Sequence, residues 1–101
     1  MSINKVIEIL STVAPEDFDM DMCSTCISGQ IYKHLNPNSD SYAAPIRTFA
    51  EFVGVDAEIA NDATFPIGEE NPAWKATPTQ AIKMLEILRD EGVVDWDRAM
   101  T

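Results

Sequence analysis

The amino-acid sequence predicts an all-α fold, a compact bundle of about four to five short helices in a single acidic domain covering residues 1–101. Apolar residues recur at helical spacing in four segments, and Gly and Pro residues fall between these segments. With 101 residues, of which 46% are hydrophobic, the chain has enough apolar side chains for one core. These observations together indicate a globular helical protein.

The first helix is predicted over residues 3–13. Ser2 is a good N-cap, and Pro15 cannot continue the helix interior. The apolar positions at helical spacing are Ile3, Val6, Ile7, Leu10 and Val13. The acidic segment 15–22 contains two Met residues, and we predict a linker in which Phe18 packs onto the core.

A second helix is predicted to begin after Ser24 or Thr25, either of which can act as N-cap, and to end at Leu35. An Asn-Pro pair follows, and the residue before Pro is unfavourable in a helix. Residues 36–41 therefore form a predicted turn. Gly29 costs about 1 kcal/mol relative to Ala inside a helix, so we expect another helix to approach closely there.

Two further helices are predicted in the middle of the chain. Pro45 suits the first turn of the third helix, and Gly54 ends it. The apolar stripe of this helix is Ile46, Phe49, Ala50 and Val53. Asp56 is the predicted N-cap of a short fourth helix, in which Val55 can pack on Ala60 as a hydrophobic staple.

The last helix has the clearest local signal. The sequence Thr77-Pro78-Thr79-Gln80 is a capping box with Pro at the first helical position, and it predicts a helix over residues 78–91 ended by Gly92. This helix is expected to be the central core helix. Residues 61–76 are predicted to be a long apolar loop that folds back on the body. Trp96 is expected either to dock on the body or to lie open for a partner.

The charge of the chain limits its partners. Seventeen acidic and seven basic residues give a formal net charge of −10. Affinity for nucleic acid depends mainly on Lys and Arg, so we expect no direct binding of DNA or RNA. No segment approaches the roughly 18 apolar residues of a membrane helix. We therefore expect a cytoplasmic protein without membrane contact.

The acidic residues are concentrated in one part of the sequence. The segment from Glu51 to Glu70 contains six acidic residues and no Lys or Arg. Such a surface steers basic partners toward it, and aromatic residues are common anchors in interfaces. The predicted partner-binding residues are Glu51, Glu58, Asp62, Phe65, Glu69, Glu70 and Trp74. The alternative is an acidic helix face that only keeps the protein soluble.

Three residues have the side chains of a metal site: Cys23, Cys26 and His34. A structural zinc ion takes four ligands, so Asp19, Asp21 or a second subunit would have to complete the site. A redox role for the cysteines is a second alternative, although the corresponding motif expects a βαβ unit. The third interpretation makes Cys26 a small core residue and His34 a cation at a helix end. This third interpretation predicts no metal and no cofactor.

We also expect that the chain is not an enzyme. Cys26 and His34 lie eight residues apart on one predicted helix, about 12 Å along its axis, which excludes direct contact between them. The sequence has no Gly-rich phosphate loop and no carboxyl group in a predicted apolar setting. No catalytic residue is therefore predicted.

Three short motifs occur in this order: Cys26-Ile-Ser-Gly29, Phe49-Ala-Glu-Phe-Val-Gly54-Val55 and Ala76-Thr-Pro78. Together they resemble a loose group of small uncharacterised helical proteins encoded largely by bacteriophages. Ser28 stands where that group has Ala, Gln30 stands where it has an aromatic residue or His, and the two cysteines are closer together. The resemblance implies a phage origin, hence the host cytoplasm, and a helical fold, and it implies no catalytic residue.

These observations support three functional hypotheses. The first is a non-enzymatic, phage-encoded domain that docks on a host or viral protein through its acidic and aromatic surface and inhibits a nucleic-acid-binding protein. The second is an assembly protein that forms a homo-oligomer through an exposed Trp96 tail or the Met-containing linker. The third is a small zinc-binding domain that uses Cys23, Cys26 and His34.

Overall fold

The computed structural model describes residues 3–22, 24–38, 44–66, 68 and 70–101, and these residues form six α-helices and no strand. The α-helices are α1 (Ile3–Ser11), α2 (Ile27–Leu35), α3 (Pro45–Val53), α4 (Ala57–Thr64), α5 (Pro78–Glu91) and α6 (Trp96–Met100). Two short 3₁₀-helices span Pro15–Asp17 and Pro72–Lys75. The all-α prediction is confirmed.

The helices enclose one core. α1 packs against α2 and α5, α2 packs against α3, and α3 packs against α4. α6 returns to pack against α5. Among the largest fully buried side chains are Val6, Leu10, Ile27, Ile31, Phe49, Val53, Met84 and Leu85. None of the helices in the described ranges has the length and apolar character needed to cross a membrane.

The first helix ends slightly earlier than predicted. α1 ends at Ser11. The next residues form a tighter turn with bonds between residues three apart, in which the N–H of Val13 donates to the Leu10 carbonyl oxygen at 3.1 Å. The predicted N-cap, Ser2, lies outside the described residues. Phe18 is buried, as the sequence predicted for the linker.

The predicted start of the second helix is wrong. α2 begins at Ile27, and its N-cap residue is Cys26, which makes no side-chain capping bond. Ser24 and Thr25 lie instead in a turn, in which the N–H groups of Thr25 and Cys26 donate to the Met22 carbonyl oxygen. The end of the helix at residue 35 is as predicted. Of the predicted turn that follows, residues 39–41 lie outside the described part of the chain.

The helices α2 and α3 meet beside Gly29. Gly29 is buried, and the hydroxyl of its neighbour Ser28, which is fully buried, donates to the Pro45 carbonyl oxygen at 2.6 Å. This bond joins α2 to the first turn of α3. Residues 28 and 29 point to different sides of α2, so the predicted close approach of another helix at Gly29 itself stays a prediction.

The predicted caps in the second half of the chain are confirmed. Gly54 and Gly92 end α3 and α5 with φ values of +80° and +74°, in the left-handed region that favours Gly. The Asp56 carboxylate accepts a bond from a first-turn N–H of α4 at 2.9 Å. Thr77 and Gln80 form the complete capping box of α5.

The prediction of one long loop over residues 61–76 is wrong. α4 continues to Thr64, because Ala60, Ala63 and Thr64 are buried and the Thr64 hydroxyl donates back to the Ala60 carbonyl oxygen at 2.7 Å. The 3₁₀-helix Pro72–Lys75 then occupies the end of the segment. The predicted fold-back is nevertheless present, since Pro66 and Ala73 are buried.

Trp96 docks on the body of the protein. Its side chain is 7% exposed, and its indole N–H donates to the Asp62 carbonyl oxygen at 2.9 Å. The Asp95 side chain caps the short helix α6 by accepting a bond from the Arg98 N–H. The sequence leaves open whether Trp96 docks or stays exposed, and in the structure Trp96 is docked.

Candidate protein-binding surface

Two grooves meet at Phe65. The first, called here the aromatic groove, has a volume of about 720 Å³, and its walls include Asp21, Asn61, Phe65, Pro66, Trp74 and Lys75. The second, called here the apolar groove, has a volume of about 540 Å³, and its walls include Pro45, Ile46, Ala50, Glu51, Ala57 and Phe65. Both volumes lie in the range of ordinary ligand sites. Phe65 forms part of the wall of each groove.

Local structure explains why Phe65 is presented in this way. It is the first residue after α4, and its N–H donates to the Asn61 carbonyl oxygen at 2.7 Å, which closes the helix end. The side chain is 49% exposed, a large value for an aromatic residue. The backbone of Phe65 is thus held by the helix while the residue as a whole is about half exposed.

Phe65 and Trp74 form an aromatic pair. The two ring centroids lie 5.4 Å apart with an angle of 89° between the ring planes, an edge-to-face arrangement. The indole N–H of Trp74 donates to the Gly68 carbonyl oxygen at 2.8 Å. Trp74 lies on the 3₁₀-helix Pro72–Lys75, which Asn71 caps by accepting a bond from the Ala73 N–H. Hydrogen bonds therefore hold the indole ring of Trp74 and the backbone of Phe65 in position.

The acidic residues of the predicted surface are distributed over several places. Glu51 borders the apolar groove and forms an exposed ion pair with Arg47, with an N–O distance of 3.1 Å. Glu58 and Asp62 lie four residues apart on α4, so they share one side of the helix, and both are exposed. Asp62 borders a smaller groove beside α6.

The structure therefore brings together only part of the predicted set. Phe65 and Trp74 contact each other, and Glu51 lies beside the groove on the other side of Phe65. Asp62 lines neither of the two grooves at Phe65. Glu70 is exposed, and Glu69 lies outside the described residues.

Sequence reasoning did not include two charged residues of the aromatic groove, Asp21 and Lys75. Asp21 belongs to the linker before α2, and no periodicity or motif relates it to Trp74. The sequence does contain a signal for Lys75. It is the basic residue that ends the segment 48–74, which has no Lys or Arg. Asp21 can be identified as a groove residue only from the folded structure, in which the linker lies beside this groove.

The candidate zinc ligands are separated. Cys26 is buried at the N-terminal end of α2, and His34 is exposed in its last turn, about 12 Å away along the helix axis. Cys23 lies outside the described residues. Within the described ranges, no three His, Cys, Asp or Glu side chains are close enough together to hold a metal ion. Cys26 and His34 thus cannot bind the same ion within one chain.

Among the described residues, the shifted pKa values belong to surface ion pairs near the end of α5. Hydrogen bonds from Arg98, at 2.7 and 2.8 Å, lower the pKa of Glu91. The hydrogen bond from Arg89 likewise lowers the pKa of Asp90. Neither carboxylate borders the two grooves at Phe65. These shifts therefore concern stability and do not identify an acid or base for catalysis.

Comparison of the chain with protein-family models, with curated proteins and with solved structures gave no match. The fold and the surface around Phe65 therefore carry the functional argument. They describe a small all-α protein with a half-exposed aromatic residue between two grooves.

Proposed function

We propose that this chain is a non-enzymatic protein-binding domain that docks on another protein through the surface around Phe65. The observation that carries the proposal is the position of Phe65, a half-exposed ring between two grooves that is packed against Trp74. Energetically important interface residues are often aromatic and lie in or beside pockets. The ring and the two grooves would give a partner an anchor and two places for its own side chains.

The charge of the chain supports a basic partner. The net charge is −10, and the segment 48–74, which contains α4, Phe65 and Trp74, has no Lys or Arg. Complementary charge speeds association and selects the correct partner. A basic surface that normally binds nucleic acid is a suitable target, so we propose that the domain inhibits such a host or viral protein. The motif resemblance supports a phage-encoded protein acting in the host cytoplasm.

Affinity capture with matched variants tests this proposal. The tagged wild-type protein, Phe65→Ala and Val93→Ala are incubated with a bacterial lysate, and the retained proteins are identified by mass spectrometry. Val93 is a suitable control because it is an apolar residue that is 48% exposed, close to the 49% of Phe65, and lines neither groove. We expect a partner that the wild type and Val93→Ala retain and Phe65→Ala loses. A partner retained equally by all three proteins would contradict the proposed surface.

Charge reversal tests the electrostatic part. Glu58→Lys combined with Glu70→Lys should weaken capture and reduce its dependence on salt, because both carboxylates are exposed in the base-poor region. Glu16→Lys combined with Glu86→Lys changes the net charge equally at exposed positions elsewhere. An equal loss of partner capture in both double variants would indicate a general effect of net charge instead of a local one.

Competition tests the proposed inhibition. If the captured partner binds nucleic acid, an excess of duplex DNA or RNA should displace it from the tagged domain, because the two would occupy the same basic surface. Retention of the partner in the presence of saturating nucleic acid would place the docking surface elsewhere on that partner.

Homo-oligomer assembly is the second candidate function. Leu35 is 54% exposed on α2 and Met22 is exposed in the linker, which gives apolar surface for contact between copies. Trp96, which the sequence offered as an exposed subunit contact, is buried and cannot serve in that role. Light scattering measures whether the wild type forms an oligomer and whether Leu35→Ala reduces it to a monomer. A monomer at high concentration would exclude the assembly function.

A further inference from the structure

The aromatic pair forms a corner in the wall of the aromatic groove. Because the rings of Phe65 and Trp74 are perpendicular and their centroids are 5.4 Å apart, the groove is bounded by two aromatic side chains set at a right angle. Asp21 is exposed and lines the same groove. A right-angled aromatic pair with an acidic residue in the same groove is a suitable receptor for an organic cation, because the faces of aromatic rings carry negative potential.

We propose that this corner binds a cationic side chain of the protein partner, the guanidinium of an Arg or the ammonium of a Lys. The inference rests on the proposed function and specifies the chemistry by which the partner is recognised. The partner's cation contacts the rings of Phe65 and Trp74, and the Asp21 carboxylate supplies the opposite charge. Arg suits the site best, since its planar guanidinium can stack on one ring while it donates hydrogen bonds to a carboxylate.

The corner is organised before any partner arrives. Trp74 is held by the bond from its indole N–H to the Gly68 carbonyl oxygen at 2.8 Å and by the capped 3₁₀-helix that carries it. Phe65 is held by its backbone bond to Asn61 at the end of α4. A preformed receptor loses less conformational entropy on binding than one that must first assemble.

The aromatic groove is lined by one acidic and one basic residue, Asp21 and Lys75, and the net negative charge of the chain favours a cation over an anion. Lys75 also lines the groove, but it is exposed, and the structure contains no ion pair between Lys75 and Asp21. Its flexible side chain can extend into water when another cation enters. The net charge of −10 attracts cations to the whole molecule, and a second copy of the chain would bring the same negative charge.

The test uses N-acetyl-arginine amide as the probe and the two tryptophan indole N–H signals as reporters in ¹H–¹⁵N spectra. The chain has two Trp residues. Trp74 borders the aromatic groove, whereas Trp96 is buried, is bonded to Asp62 and lines the separate groove beside α6, so its signal reports binding of the probe outside the aromatic groove. Trp74→Phe assigns the two signals. N-acetyl-citrulline amide, a neutral analogue of nearly the same shape, is the control probe.

We expect the Trp74 signal to move saturably with the arginine probe, with a dissociation constant on the order of millimolar for so small a ligand. The Trp96 signal should stay in place, and the citrulline probe should have no effect. Asp21→Asn should weaken binding about threefold and Phe65→Ala about two- to fivefold. Lys75→Met should strengthen binding, because it removes a competing positive charge.

Three results would overturn the inference. The first is a Trp74 signal that does not move, and the second is equal, unsaturable movement of both indole signals. The third is the opposite order of effects, with Asp21→Asn strengthening the response and Lys75→Met weakening it, which would describe an anion site. Each of these results leaves the capture experiment with Phe65→Ala and Val93→Ala unaffected, so failure of the cation site can be distinguished from failure of the docking proposal.

Discussion

At the scale of one residue, Trp96 joins the short helix α6 to α4. Its ring is buried and its indole N–H donates to the Asp62 carbonyl oxygen, 34 positions earlier in the chain. Because Asp62 belongs to α4 and Trp96 to α6, this single bond fixes the position of α6 against the end of α4.

The Trp96 hydrogen bond yields a first prediction. Trp96→Phe keeps an aromatic ring but leaves the Asp62 carbonyl without its donor, so the free energy of unfolding should fall by about 1 kcal/mol or more. Trp74→Phe removes a similar N–H from a partly exposed indole and should cost less. Urea denaturation of both variants measures the difference. Equal losses would mean that burial of Trp96 contributes little.

Two phenylalanines separate stability from binding. Phe49 is 0% exposed in the core, so Phe49→Ala should lower the free energy of unfolding by about 3–5 kcal/mol. Phe65→Ala makes the same change at a half-exposed ring and should cost clearly less, while it abolishes partner capture. Thermal and urea unfolding of the two variants check this prediction. A similar cost at both positions would assign Phe65 a mainly structural role.

At the scale of the element, predictions succeeded where the signal is local. Gly54, Asp56 and the capping box at Thr77 act within a few residues, and the structure confirms each of them. The start of α2 was missed because Ser24 and Thr25, both good caps, are used in a turn that is fixed by Met22. The end of α4 was missed because its last turn is stabilised by burial of Ala63 and Thr64, which is a tertiary effect.

The capping box of α5 yields a prediction at this scale. Thr77→Ala removes the oxygen that accepts the Gln80 N–H bond and should cost about 1 kcal/mol of stability. Thr79→Ala is the matched control, because Thr79 is an exposed first-turn residue outside the reciprocal cap. The urea midpoints of unfolding of the two variants measure this difference in stability. An equal effect would show that the first turn of α5 does not depend on its cap.

At the scale of the whole molecule, the negative charge affects the pH dependence of stability. A net charge of −10 produces self-repulsion, which weakens as carboxylates become protonated. The ion pair of Glu91 with Arg98 acts in the opposite direction. Because the pKa of Glu91 is lowered from its ordinary value of 4.5 in the folded state, the pair stabilises the protein above that value. This contribution is lost as the pH falls through the lowered pKa.

We therefore expect the melting temperature to rise as the pH falls from about 7 to about 5 and to decline at more acidic pH. Added salt should raise the melting temperature near neutral pH by screening the repulsion. Arg98→Met should make the acidic decline shallower, since Glu91 then keeps an ordinary pKa. Calorimetry across this pH range provides the measurement. A steady fall in melting temperature from neutral pH downward would contradict the repulsion argument.

The proposed binding surface belongs to the whole molecule as well. The sequence alone selected Phe65 and Trp74, because both lie close to the acidic segment. Asp21 and the apolar groove around Pro45 could not be selected, since they come from the linker and from the start of α3. Composition can indicate that a surface is acidic and aromatic. The residues that form the walls of a groove can be identified only once the packing of the helices is known.

The contact between α1 and α5 has a consequence for the synthesis of the protein. The Arg89 side chain donates a hydrogen bond to the Asn4 side chain at 2.9 Å, and 85 positions separate the two residues. A growing chain therefore releases α1 from the ribosome long before α5 has been translated. Until then the apolar residues of α1, among them Val6 and Leu10, lack their final partner, and a chaperone can bind them. Although α1 is translated before α5, its packing in the core is completed only after α5 has been made.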